Sequence, residues 1–194
     1  RQYASLVEKQ KELLASSEAS PYNKSEFCAQ SSKHKLGVIA CGIAYNYVLE
    51  NEPQESDIPV LKVSQYPLPE SSIKAFAEQC ESLLIAEDGQ PLVEEQVKSI
   101  LGAEYPLKGR LTGELPRMGE LTPDCVGAAL GVNIEQPYTD AQNVMPRPPA
   151  LCQGCGHRDV YDALNKVAAE YENARIFGDI GCYTLGALPP FRAI

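Results

Sequence analysis

Leu36-Gly37-Val38-Ile39-Ala40-Cys41 is the stretch on which the fold turns. A short apolar run closed by Gly42 reads as a strand buried on both faces, because a half-solvated strand would alternate with polar residues. Working outward, a helical stretch runs through Leu49, and a polar loop from Glu50 to Asp57 leads to a second strand, Pro59-Val60-Leu61-Lys62-Val63. Pro67-Leu68-Pro69 precedes a predicted helix near 70–81, with Ile73, Phe76, Ala77 and Cys80 on one side. A third strand, Ser82-Leu83-Leu84-Ile85-Ala86, ends at Glu87-Asp88-Gly89, and Pro91 opens a helix to about Leu101 with Val93, Val97, Ile100 and Leu101 facing inward. Strands alternating with amphipathic helices predict an α/β fold, a three-layer domain with a parallel sheet, over residues 33–132. Thr122-Pro123 is an N-cap followed by proline in the first turn, which starts a helix over 123–130.

The flanks differ. Residues 1–16 read as a helix with Leu6, Val7, Leu13 and Leu14 on a stripe, and Ser16 to Ser25 as a linker, so 1–32 form an N-terminal extension. Ser31-Ser32-Lys33-His34-Lys35 leads into the first strand, and His34 receives no role. Residues 133–150 carry Pro137, Pro146, Pro148 and Pro149 without periodicity, which predicts an extended linker. A second unit, 151–194, opens on Cys152-Gln153-Gly154-Cys155-Gly156-His157. It continues as a helix over 158–171, with Val160, Leu164, Val167, Ala168 and Tyr171 on one face, and a strand Arg175-Ile176-Phe177-Gly178-Asp179. The chain begins without a Met and stops after a glycine-rich turn, so it is expected to be a piece of a larger protein.

With 26 acidic and 17 basic residues the formal charge is −9, and the pI is about 4.8. No basic stripe offsets that excess, which argues against nucleic acid as a partner. No run of 18 apolar residues suggests a membrane span, and no apolar segment at the start suggests a signal peptide. Seven cysteines at irregular spacing do not form a disulfide framework, so the expected compartment is reducing and cytoplasmic. Cys41 and Cys80 are expected to be small core residues; Cys28 and Cys125 are taken as structural or neutral.

Chemistry concentrates after residue 150. A loop–helix–strand unit would return Cys182, at the end of its strand, to the C-x-x-C of Cys152 and Cys155. Three thiolates at one place suit iron clusters or zinc. A c-type haem site needs C-x-x-C-H, and Gly156 intervenes before His157, so that reading is discarded. A thioredoxin-like pair lacks the preceding strand. Structural zinc on Cys152, Cys155, Cys182 and either His157 or an absent ligand stays open, as does a plain loop of small residues. Glycines in Gly178-Asp179-Ile180-Gly181 would let amides approach a phosphate, although Asp179 reads better as a turn-former. Glu87-Asp88-Gly89 lies where open sheets bind ligands, yet a solvated turn is the preferred reading.

Two motifs in order carry a resemblance. Arg147-Pro148-Pro149-Ala150-Leu151-Cys152-Gln153-Gly154-Cys155-Gly156-His157-Arg158 and Gly178-Asp179-Ile180-Gly181-Cys182-Tyr183-Thr184-Leu185-Gly186 resemble the large (alpha) subunits of the indolepyruvate branch of the thiamine-diphosphate-dependent 2-oxoacid:ferredoxin oxidoreductases. Residues 35–48, Tyr66-Pro67-Leu68-Pro69 and Gly119-Glu120-Leu121-Thr122-Pro123 are similar as well. The resemblance implies that 33–132 is a transketolase C-terminal-like domain and that 151–194 begins the thiamine-diphosphate-binding domain. It implies Cys152, Cys155 and Cys182 as iron–sulfur ligands, with a fourth beyond Ile194. It places His157, Gly181, Cys182 and Thr184 near thiamine diphosphate and its magnesium. Gln153 stands where proline is usual in the family, and Gly156 where the indolepyruvate branch often has proline. The implied reaction is oxidative decarboxylation of an aryl 2-oxoacid, with electrons passing to ferredoxin and the acyl group to coenzyme A, in a subunit paired with a small (beta) subunit. On this resemblance the chain alone is expected to be inactive. The competing class is a zinc-stabilised, non-catalytic α/β interaction module. A nucleotide-binding domain ranks last, because no G-x-G-x-x-G follows the first strand.

Overall fold

A computed structural model of the chain describes residues 2–26, 33–51, 58–134, 143–145 and 148–194. Cys28, Pro137, Pro146 and Arg147, which figure in the readings above, lie outside the described residues. The chain divides into two compact units, Arg1–Pro137 and Tyr138–Ile194.

The first unit is built on a five-stranded sheet. Its elements are α1 (Gln2–Glu18), β1 (Lys24–Glu26), β2 (Gly37–Cys41), α2 (Ile43–Asn51), β3 (Val60–Val63), α3 (Glu70–Glu78), β4 (Leu83–Ala86), α4 (Leu92–Leu101), β5 (Leu107–Lys108) and α5 (Pro123–Ala129). The spatial order is β1-β3-β2-β4-β5. β3, β2, β4 and β5 run parallel, whereas β1 is antiparallel to β3 at the edge. β2 and β4 are buried along their whole length, which is why their sequences lack alternation.

Successive side chains feed two cores. Ile39, Cys41, Leu83 and Ile85 pack with Ile73 and Phe76 of α3 and Val93 and Val97 of α4. Val38, Ala40, Leu84 and Ala86 pack on the other face with Ala44 and Val48 of α2 and Val126 of α5. Helices therefore cover both faces, and the architecture is the expected three-layer α/β one. Gly37 sits where a Cβ would meet Cys80 Sγ at 2.5 Å and the Phe76 ring at 3.0 Å, so the strand and α3 approach too closely for a side chain. Cys41 and Cys80 are buried, as expected of small core residues. Burial pushes their thiols up to about 12 and about 11 respectively, with the nearby Glu87 charge adding to the first.

Two details differ from expectation. The stretch read as a linker contains β1, because Asn23 anchors it: its Oδ1 accepts from the amides of Ser64 (2.8 Å) and Gln65 (2.9 Å), and its Nδ2 donates to the carbonyls of Ser17 and Gln65. β5 went unrecognised, because two residues are too few to show a period.

The second unit contains α6 (Gly156–Ala168) and a 3₁₀ turn over Cys182–Ala187. Its core is small: Leu151, Tyr161, Phe191 and Ala193, with Ile176 and Leu185 against them. Residues 175–179 do not form the expected strand, since a strand needs a neighbour to pair with and this unit supplies none among its described residues. The face of α6 is also corrected. Val160, Leu164, Val167 and Tyr171 are exposed, and the packed stripe is His157, Tyr161 and Asn165 at i, i+4 and i+8.

Candidate functional site

The C-x-x-C loop is a tight turn ending in a helix start. The Cys155 amide donates to the Cys152 carbonyl at 3.2 Å, and Cys155 then occupies the N-cap position of α6 in extended conformation. Arg158, one turn in, donates to the Leu151 carbonyl at 3.1 Å and lies over the Phe191 ring. Cys152 is exposed and Cys155 half-buried. Cys155 Sγ is 3.2 Å from His157 Nδ1, a hydrogen-bond contact whose donor is set by the histidine tautomer.

The second motif is fastened to the same helix. The His157 ring meets the edge of Tyr183 at 4.7 Å between centroids. The Tyr161 hydroxyl donates to the Tyr183 carbonyl at 2.6 Å. Gly186 packs on the Tyr161 ring, where a Cβ would collide with the ring carbons. Asn165 donates to the Phe191 carbonyl at 2.8 Å. One face of α6 thus holds residues 183–191, and Cys182 opens the 3₁₀ turn beside them.

The loop before that turn has its own logic. Asp179 Oδ1 accepts from the Ile180 amide at 2.7 Å, and its carbonyl accepts from the Thr184 hydroxyl at 3.2 Å, which matches a turn-forming aspartate. Gly181 has φ +120°, a conformation that favours glycine. Cys182 is exposed.

The structure therefore brings His157, Cys155 and the Tyr183–Thr184 segment to one end of α6. It does not bring the three cysteines to a common point. Among the described residues no three Cys, His, Asp or Glu side chains are placed to hold a metal ion. An iron–sulfur cluster takes four ligands, usually thiolates. Cys152, Cys155 and Cys182 are the right kind of donor but are not gathered into a set, and Asp179 is the one carboxylate in the 178–186 loop. Neither a cluster nor a magnesium–diphosphate group finds a complete site in this arrangement, and no chemical step is derived through them.

A second polar constellation, in the first unit, was missed. Glu87 was read as part of a solvated turn, but it is buried, and its carboxylate accepts from the amides of Val93 (2.9 Å) and Glu94 (2.8 Å) at the start of α4. Burial raises its pKa, against the lowering effect of those two bonds. Arg110 is only 1% exposed. Its Nε donates to the Glu87 carbonyl, one terminal nitrogen to the Pro116 carbonyl at 2.6 Å, and the other to Asp88 Oδ1 at 3.3 Å. Glu94, also buried, accepts from the Leu111 amide at 3.0 Å. These charges are tolerated because every one is hydrogen-bonded. Their partners are main-chain groups from separate loops, which no local sequence pattern records.

A doubly wound sheet unit, followed by a second unit whose helix starts on a C-x-x-C loop, defines the class: an α/β protein with a thiol-bearing loop after its sheet unit. No protein-family model matches the chain. Relatives do. The indolepyruvate oxidoreductase subunit IorA of Methanothermobacter marburgensis is 34% identical over 201 aligned positions, covering 97% of this chain and 32% of that protein. IorA of Archaeoglobus fulgidus is 35% identical over 173 positions, and IorA of Thermococcus kodakarensis 36% over 178, each covering 82% of this chain and 27% of the relative. The chain is homologous to one segment of the indolepyruvate oxidoreductase subunit IorA, and it spans about a third of the length of those relatives. No helix among the described residues is long and apolar enough to cross a membrane.

Proposed function

We propose that this chain is a segment of an oxidoreductase subunit that takes part in the oxidative decarboxylation of indolepyruvate or a similar aryl 2-oxoacid. The observation that carries this reading is the match to IorA subunits over 97% of the chain. The fastening of residues 183–191 to α6 supports it, since it holds the Tyr183 segment at the same end of the helix as the C-x-x-C loop.

Thiamine diphosphate with magnesium, when bound by the parent protein, supplies the chemistry by which a 2-oxoacid loses carbon dioxide. The residues of this chain supply placement. Tyr161 and Asn165 hold the 182–191 segment, and Gly181 lets the chain turn into it. In the whole subunit, once a further ligand and a closer approach of the two motifs completed the set, Cys152, Cys155 and Cys182 would be thiolate ligands to an iron–sulfur cluster, and His157, Gly181, Cys182 and Thr184 would border the cofactor. Ferredoxin, coenzyme A and a small subunit are the partners of that larger protein, whose compartment is the cytoplasm.

The test is to graft these 194 residues in place of the matching segment of an IorA subunit and purify the product anaerobically with its partner subunit. Iron with acid-labile sulfide, lost on Cys155→Ser, is the expected result. Stoichiometric zinc in a folded graft would instead favour the non-catalytic interaction module.

A further inference from the structure

The carboxyl edge of the first unit's sheet holds a crevice that the reading above does not use. β2 and β4 are neighbours, but the chain leaves β2 toward β3 and leaves β4 toward β5. The two exits also part across the sheet, with α2 packing on one face and α4 on the other. A parallel order of this kind is open at that switch point, which is where ligands bind in doubly wound sheets. Here the opening measures about 430 Å³, within the roughly 300–1,000 Å³ of small-molecule sites.

Its lining comes from three loops that follow parallel strands. Cys41 and Glu87 form the buried floor, while Tyr66, Ile43 and Leu92 form an exposed apolar rim. The Asp88 carboxylate stands at the lip with its side chain 44% exposed. Among the described residues the lining contains no Lys, Arg or His. Arg110 pairs with Asp88 from behind, sealed among carbonyls, and does not reach the opening.

Those features select the ligand. An incoming phosphate or carboxylate meets two acidic side chains; of the two helix amino ends at the crevice, about half a positive charge each, that of α4 is already capped by Glu87 and that of α2 is left in its favour. A Cys41 nucleophile is unsuitable, because its thiol stays protonated well above neutral pH. An ammonium group finds Asp88 as a partner and the half-exposed Tyr66 ring as a cation–π surface. We propose that this crevice binds a small amine with an aromatic or aliphatic body, the body on Ile43, Tyr66 and Leu92 and the ammonium toward Asp88. The assignment is independent of the oxidoreductase reading.

The experiment titrates the ¹⁵N-labelled 194-residue chain with phenethylamine, 2-phenylethanol and phenylacetate, which share one skeleton. The amine is expected to shift the amides of residues 41–43 and 88–92 and to bind about tenfold more tightly than the alcohol, with an affinity that falls as salt rises. Asp88→Asn removes that tenfold advantage, so that the amine binds no more tightly than the alcohol on the same variant. Leu92→Trp, at an exposed position, fills the crevice and abolishes both without unfolding the chain. Equal or tighter binding of phenylacetate or inorganic phosphate would overturn the proposal. So would amine-induced shifts that survive Leu92→Trp, or an absence of shifts at these residues at millimolar amine.

Discussion

Asp88 Oδ1 gathers three donors, the amides of Gly89 (2.8 Å) and Leu121 (3.0 Å) and the Arg110 guanidinium (3.3 Å). The Leu121 and Gly89 amides, then Arg110, hold its pKa below the ordinary 3.8. A depressed carboxylate stabilises the fold above its ordinary pKa, and that contribution is lost as pH falls through the ordinary value toward the folded one. Asp88→Asn should therefore lower the urea midpoint at pH 6, and the gap from the parent should close as pH falls below about 4. A gap that stays constant to pH 3 would mean the charge is not what matters. At Gly37, a methyl group has to push Cys80 and Phe76 apart, so Gly37→Ala should cost about 1–3 kcal/mol in denaturant unfolding. Little of this residue-scale detail was legible in the sequence. Glu87-Asp88-Gly89 has the composition of a solvated turn, and of the three only Glu87 is buried, with Arg110, arriving from beyond β5, bonded to its carbonyl.

Elements were legible to the extent that burial imposes a pattern. β2, β3 and β4 stood out because strands covered on both faces carry nearly unbroken apolar runs, and α3 and α4 because one stripe packs inward. α6 shows where that logic fails. Its apolar stripe of Val160, Leu164 and Val167 promised an inward face, but the neighbouring segment 182–191 packs on His157, Tyr161 and Asn165 instead. The two faces make opposite predictions under hydrogen exchange. Tyr161→Ala empties the small core and should lower protection of the α6 amides by about 3 kcal/mol. Val160→Lys and Val167→Lys, on the exposed face, should change it by less than about 0.5 kcal/mol. Reversal of that ranking would show that the helix packs through its apolar stripe. The expected strand at 175–179 failed for a related reason. Phe177 is 92% exposed, and an extended apolar segment becomes a strand only beside a partner.

At the scale of the molecule, the chain parts into two units after Pro137, whereas the linker over 133–150 rests on composition alone. Ligand gathering was not visible, because whether three thiols meet depends on the packing of whole segments rather than on their spacing. As a proposed segment of a larger oxidoreductase subunit, the 194 residues alone should reduce no acceptor when given indolepyruvate and coenzyme A. The most direct test is indolepyruvate-dependent reduction of ferredoxin by an IorA subunit carrying this chain in place of its own matching segment. The expected result is turnover within about tenfold of the parent enzyme, a barrier change near 1.4 kcal/mol, and its loss on Cys155→Ser. A folded, fully assembled graft that turns over no 2-oxoacid, or turnover by the isolated chain, would contradict the account.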